Sequence, residues 1–268
     1  MAHVYPGNDP QVLASRAVLI EVVTILGAYM DNSVVIGGWV PEIHYPGRGH
    51  IGSIDVDLAL DGRKIQAAAY DPIRRRLLKA GYRQDPSGGS IFYREVGTLT
   101  VKLDLITGEG EDSEGTGLHT QIQEMIVGKL RGTDLAFDNS VSVSITGKLP
   151  DGSENVVRIR VATPASFICM KAHAMNERKK EKDAYDIWFC LRNYEGGPEA
   201  LASSLQPLLG HPIVDEAISI LREKFESIDR VGPQWSAQVA HDNGDDFERV
   251  ARDAFERMRV FLAALSST

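Results

Sequence analysis

Cysteine is scarce in this chain of 268 residues: there are two, Cys169 and Cys190, each inside an apolar helical pattern. That excludes a disulfide framework and a Cys-x-x-Cys knuckle, and both read as reduced core residues of an intracellular protein. None of the seven histidines stands four residues from another, which argues against a zinc site. The Gly-Lys-Ser/Thr phosphate loop and the Rossmann glycine fingerprint are both missing. The first ten residues carry no basic stretch followed by an apolar core, so no signal peptide is read. We find no apolar run approaching the roughly 20 residues that span a bilayer. The expectation is a cytoplasmic protein with no membrane partner. Positive charge does not prevail either. A formal net charge of −8 speaks against a broad nucleic-acid-coating surface, although not against a local basic strip. Repeats, low-complexity segments and Gly/Ser linkers are absent.

What is present is an ordinary globular composition, 43% hydrophobic and 25% charged, with room for one large domain or two modest ones. Asn8-Asp9-Pro10 reads as a helix cap, with the helix running to about Tyr29. Val34 to Ile36 is a short buried strand ending in Gly37-Gly38. Residues 39–53, with prolines at 41 and 46, read as irregular. A strand follows over Ile54 to Leu60, then a helix from Asp71-Pro72 to Ala80 closed by Gly81. Ser90 to Thr107 is a hairpin turning near Gly97, Leu118 to Leu130 reads as a helix, and Val141 to Val161 is a hairpin turning at 150–152. The glycine-rich acidic stretch 108–117 reads as a mobile loop. From Pro164 onward helical patterns prevail, at 164–178, 181–194, 198–208, 213–227 and 245–265. An α+β part gives way to a helical part near 161–164.

Chemistry concentrates in three aspartates. Asp55 and Asp57 lie in Ile54-Asp-Val-Asp-Leu-Ala-Leu60, and Asp104 in Thr100-Val-Lys-Leu-Asp-Leu-Ile106. Residues i and i+2 of a strand share a face, so Asp55 and Asp57 point together and Asp104 can meet them from a neighbouring strand. Carboxylates gathered this way repel unless a cation sits between them. A hard divalent ion with oxygen ligands, such as Mg²⁺ arriving with a phosphate, answers that repulsion. The parity also suits a plain half-exposed strand, with Ile54, Val56, Leu58 and Leu60 facing the core. The Gly37-Gly38 pair, where backbone N–H groups can approach a phosphate, adds weight to the chemical reading.

The order strand-Gly-Gly, spacer, Ser53-x-Asp55-x-Asp57-Leu and Lys102-x-Asp104 resembles the DNA polymerase β-type nucleotidyltransferase superfamily. The spacer of 16 residues between Gly38 and Asp55 suits its AbiEii-like branch, the toxins of type IV toxin–antitoxin and abortive-infection systems. Lys171, Ala174, Arg178 and Lys182-Asp183-x-x-Asp186-Ile187 resemble the helical signature of that branch. The resemblance spans roughly residues 30–190. It implies an α+β fold: a nucleotidyltransferase core of mixed sheet and helices over 1–162, and a helical domain over 163–268 that completes the nucleotide site. It also implies two Mg²⁺ ions held by Asp55, Asp57 and Asp104, with the nucleoside triphosphate (NTP) contacted by Gly37, Gly38, Ser53, Lys102 and Lys171. Asp183 is the further essential acid, with Asp186 as the alternative. The implied reaction moves a nucleoside monophosphate to an acceptor hydroxyl, an RNA and specifically a tRNA end, with an antitoxin as partner.

Three readings stay open at this point: that enzyme, a small-molecule nucleotidyltransferase whose acidic 109–114 loop suits a cationic acceptor, and a non-catalytic nucleotide-binding module. The basic runs Arg74-Arg75-Arg76 and Lys179-Lys180 with Lys182 are solvated helix faces or RNA contacts. His44 and His50, in the spacer, are either surface-loop residues or substrate contacts, and His173 lies on a helix face.

Overall fold

The computed structural model describes residues 9–66, 70–110 and 117–266. Within these, the chain divides into two compact units, one of residues 9–43 and 52–163 and the other of residues 44–51 and 164–266.

The first unit is a mixed sheet with helices. Its described strands are β1 (Ser33–Ile36), β2 (Val56–Leu60), β3 (Arg83–Gln84), β4 (Ile91–Val96), β5 (Leu99–Thr107), β6 (His119–Ile122), β7 (Met125–Lys129), β8 (Ser140–Lys148) and β9 (Glu154–Ala162). They run in the order β3-β4-β5-β2-β1-β9-β8, with the β6–β7 hairpin joined through β7 to β5. Both expected hairpins form, β4 against β5 and β8 against β9. The decisive pairing is between strands distant in sequence: β2 lies parallel to β5, bringing Asp57 opposite Asp104.

The helix α1 (Pro10–Leu26) starts where its cap predicts, the Asp9 carboxylate accepting from the Gln11 N–H at 2.7 Å. Together with the 3₁₀ turn that follows it, the segment Pro10–Asn32 is long and apolar enough to cross a bilayer. This corrects the reading that no run approaches that length. The apolar surface is used on the sheet: Val18, Leu19, Ile20, Val22 and Leu26 are fully buried, and the helix packs against β5, β8 and β9. Four short helices complete the described unit, α2 (Trp39–His44), α3 (Gly62–Gln66), α4 (Ile73–Lys79) and α5 (Asp134–Asp138).

Three expectations need correction here. Residues 39–44 form a helix rather than an irregular loop. Leu118 to Leu130 is not a helix but the β6–β7 hairpin. Short apolar runs do not distinguish the two periods, and the choice falls to tertiary partners. β7 finds β5 through Ile106 and Gly128. The turn residue Gln123, at φ +51°, is held by its own amide, which accepts from the Ile73 N–H and donates to the Tyr29 hydroxyl. Third, the Arg74–Arg76 run, with Arg75 still on the solvated face, is engaged by partners within the chain. Arg74 donates to Gln84, Arg75 pairs with Glu124, and Arg76 donates to the Asp71 and Ile25 carbonyls while lying over the Tyr29 ring. Of the acidic loop expected over 108–117, residues 111–116 lie outside the described residues.

The second unit is helical: α6 (Pro164–Glu177), α7 (Glu181–Asn193), α8 (Gly197–Leu205), α9 (Pro212–Lys224), α10 (Val231–His241) and α11 (Phe247–Ser266). The pattern 245–265 is α11, whereas α10 escapes sequence reading because Gly232 and Pro233 interrupt it. Burial of Ala237, Val239 and Ala240 against Tyr185, Trp188 and Phe189 of α7 overrides that weak propensity. His173 is buried rather than on an open helix face, its Nε2 at 2.9 Å from the Ile213 carbonyl. Cys169 and Cys190 are buried free thiols, and burial pushes the Cys169 thiol up to about 12. Residues 44–51, spacer in the sequence, are part of this unit.

Candidate active site

In the sheet unit the site grows from the β2–β5 pair. Residues on β5 alternate, with Val101, Leu103 and Leu105 buried and Lys102, Asp104 and Ile106 partly open on the other face. The i, i+2 spacing brings Lys102 Nζ to Asp104 Oδ2 at 2.9 Å. Asp57, in register with Asp104 on a parallel neighbour, joins that face. Burial lowers the Lys102 pKa, but the bond to Asp104 and the charges of Asp104, Asp57 and Asp55 outweigh it and hold the ammonium above the ordinary lysine value. All three sequence-predicted carboxylates therefore act on one cation.

Asp55 stands at the entrance to β2 and acts on Lys102 together with Asp57 and Asp104. β2 begins at Val56, and Asp55 occupies the bend before it. Its carbonyl is fastened by three donors: Trp39 Nε1 at 3.0 Å, Ser53 Oγ at 3.0 Å and Ser15 Oγ at 3.3 Å. Ser53 thus turns its hydroxyl to the chain, and Ser15 and Trp39 are positioning residues that the sequence reading missed. A signal existed, since a buried indole N–H needs an acceptor.

Gly37 and Gly38 follow β1, which places Ile36 opposite Asp57. Gly37 has φ +68°, and a Cβ there would stand 2.0 Å from Asp57 Oδ2. The close approach of the Asp57 carboxylate thus requires glycine here. Gly37→Ala is expected to displace Asp57, lowering nucleotidyl transfer on the order of 10–100-fold, as loss of a ligand's support does. It should also cost on the order of 1–2 kcal/mol for the left-handed backbone. Wild-type turnover by a folded Gly37→Ala protein would disprove the close approach.

The donor set suits a hard divalent cation: carboxylate oxygens only, two of them opposed across a strand pair, with charge already being compensated by an ammonium. Among the described residues, however, no three His, Cys, Asp or Glu groups are assembled closely enough to form a ready-made metal cage. The chemistry fits, with Lys102 occupying the counter-charge role at Asp104.

In the helical unit, Lys171 of α6 meets α7 in a buried ionic chain. Its Nζ lies 2.8 Å from Asp183 Oδ1 and 2.8 Å from Asp186 Oδ2. Arg178 closes on Asp183 through Nε at 2.9 Å and Nη2 at 3.0 Å. Asp186 Oδ1 takes Lys182 Nζ at 2.9 Å and His50 Nε2 at 3.0 Å. Both aspartates are fully buried. Burial alone would raise the Asp186 carboxyl, yet Lys171, Lys182 and His50 hold it well below the usual range; at Asp183 burial is likewise outweighed, and Lys171 and Arg178 lower its carboxyl. Burial also opposes the charge on Lys171, and the two aspartates override it and push its pKa up. Lys182 goes the other way, burial and Lys171 prevailing over Asp186. The spacing Lys171…Asp183…Asp186 was legible as a signature; that His50 and Lys182 share Asp186 was not. Lys179 and Lys180 are exposed.

A family model described as nucleotidyl transferase AbiEii toxin, type IV TA system, matches residues 52–258. The match includes Ser53, Asp55, Asp57, Lys102, Asp104, Lys171 and Asp183, and begins after Gly37-Gly38 and His50. A crystal structure of an H. pylori protein provisionally assigned as a nucleotidyltransferase aligns with TM-score 0.40 and 15% identity, over 95% of this chain and 98% of that one. That likeness is too distant to bear on the site. No curated protein matches the sequence. With the family model covering most of the chain, including the carboxylates of β2 and β5 and the ionic chain of α6 and α7, this protein belongs to the AbiEii nucleotidyltransferase toxin family and is a nucleotidyltransferase.

Proposed function

We propose that the enzyme transfers a nucleoside monophosphate from an NTP to the hydroxyl of an RNA end, a tRNA 3′ end being the first acceptor to test, and that a cognate antitoxin opposes it. The observation that carries the reading is Asp57 opposite Asp104 with Lys102 paired to the latter. Asp55, Asp57 and Asp104 would hold the divalent cation, Mg²⁺ as two ions by family resemblance; when bound, it would neutralise phosphate charge and acidify the attacking hydroxyl. Asp104 Oδ2, now the acceptor for Lys102, would take the hydroxyl proton. Lys102 would then be free to compensate the phosphates. Gly37, Gly38 and Ser53 would orient the triphosphate, and Lys171 would contact it, with Asp183 holding that lysine. Much of the rate would come from in-line positioning. The exposed Lys179-Lys180 pair supports a modest, salt-sensitive phosphate contact with RNA.

The test is transfer from each α-³²P-labelled NTP, with Mg²⁺, into total RNA, with Asp57→Asn alongside. Label in a tRNA-sized band, lost in the variant, is the expected result and names the base. Label entering small hydroxyl-bearing molecules but no RNA would overturn the acceptor assignment. Bound NTP with no transfer to any acceptor would overturn the enzymatic reading of this chain.

A further inference from the structure

The spacer histidine His50 has a place that neither the family signature nor the reaction assigns. Residues 44–51 belong to the helical unit although the chain on either side of them belongs to the sheet unit. His50 is 4% exposed, its ring edge-on to Phe189 at 4.9 Å and tilted against Tyr185 at 5.7 Å. Its Nε2 lies 3.0 Å from Asp186 Oδ1. An ionised carboxylate only accepts, so Nε2 carries the hydrogen and the ring donates. Burial and the Lys182 charge hold the imidazole down to about 4 against the pull of Asp186, so it is a neutral donor at ordinary pH.

Asp186 Oδ1 thus accepts from one rigid donor, His50, and one flexible one, Lys182, while Lys171 stands as an ion-pair partner of Oδ2. Lys171 and Lys182 reach it on four-carbon stems, whereas the boxed imidazole has two torsions and aromatic walls. Of the three, His50 is the partner with the fewest torsions to give up in orienting the carboxylate. An outer partner that orients a working group by a hydrogen bond is a familiar device in metal sites, where losing it costs about 10–100-fold.

We propose that His50 is a positioning residue for nucleotide phosphate binding: by pinning Asp186 it fixes where the Lys171 and Lys182 ammonium groups stand. This rests on the assignment of Lys171 to the phosphates given above. The test is calorimetry of Mg²⁺ with each of the four NTPs made non-hydrolysable at the α–β bridge. The nucleosides are run alongside, on wild type, His50→Gln and His50→Phe. Glutamine keeps a donor and loses the ring; phenylalanine keeps the packing and loses the donor. His50→Gln should bind within about twofold of wild type, and His50→Phe roughly tenfold more weakly, both with cooperative melts. NTP affinity unchanged in folded His50→Phe, or lost equally in both variants, would overturn the proposal while leaving the phosphate assignment intact. Wild-type protein binding a nucleoside as tightly as its triphosphate would instead remove the phosphate contact itself, and the proposal with it. ¹⁵N resonances of His50 at pH 7 should show the neutral Nε2–H tautomer; a charged ring would also refute it.

Discussion

Asp57→Asn is expected to lower nucleotidyl transfer by on the order of 10³-fold while leaving the fold intact. The change removes one negative charge and keeps the shape, so β2 retains its pairing with β1 and β5. Gly37 stands against the side chain, and its lack of a Cβ accommodates an amide as well as a carboxylate. What is lost is electrostatic. Asp57 is one of three carboxylates acting on Lys102, and the residue directly opposite Asp104. An amide neither holds a hard cation as strongly nor balances an ammonium. Steady-state transfer from the preferred NTP measures the loss, and circular dichroism with a thermal melt verifies the fold. A variant retaining more than a tenth of wild-type turnover would exclude Asp57 from the catalytic charge cluster. Lys102→Met gives the complementary control: it leaves Asp104 without its ammonium and should impair transfer less than Asp57→Asn.

The largest effect on stability is expected at Asp186. Asp186→Ala would leave Lys171 and Lys182 in a buried setting without the carboxylate they share, and would remove the acceptor of His50. Removing one partner of a buried ion pair costs about 3–5 kcal/mol, far more than the pair itself is worth against an apolar replacement. For a protein of this size that corresponds to a fall in Tm of roughly 10 °C. The pH dependence follows from the direction of each shift. Asp183 and Asp186 are depressed in the folded state, so their contribution is complete above the unfolded carboxylate value near ~3.9 and lost as pH falls through the folded value. Lys171 is raised, so its contribution is complete below the unfolded lysine value near ~10.4 and lost only as pH rises through the folded one. The Tm difference between wild type and Asp186→Ala should therefore be flat from about pH 5 to neutrality and shrink in stronger acid. A difference under about 2 °C at pH 7 would show that the buried chain relaxes or hydrates, and that Asp186 is not its hub.

Alternation along the chain was enough to place β4, β5, β8 and β9, because each hairpin partner is close in sequence and the turns at 97 and 150–152 carry glycine. Cap chemistry at Asp9-Pro10 located the start of α1 in the same way, through a contact two residues long. The carboxylates, glycines and the Lys171–Asp186 spacing were legible as residue types in an order, and the family match over 52–258 agrees with them. Local pattern was insufficient wherever a distant partner decided the outcome. The β6–β7 hairpin reads as a helix until β5 accepts β7, and α10 reads as a break until α7 and α11 bury its alanines. The same holds inside the site. Asp55 is anchored at the entrance to its strand by Trp39 and the serines at its carbonyl, and Gly37 is needed because Asp57 leans against it. His50 belongs to Asp186, 136 positions away in the chain. Sequence alone determined which chemical groups this protein has and the order in which they come, since those are properties of composition and short-range period. Only the tertiary structure decided which of those groups share a charge, because Coulomb and hydrogen-bond partners are chosen by distance in space and by burial.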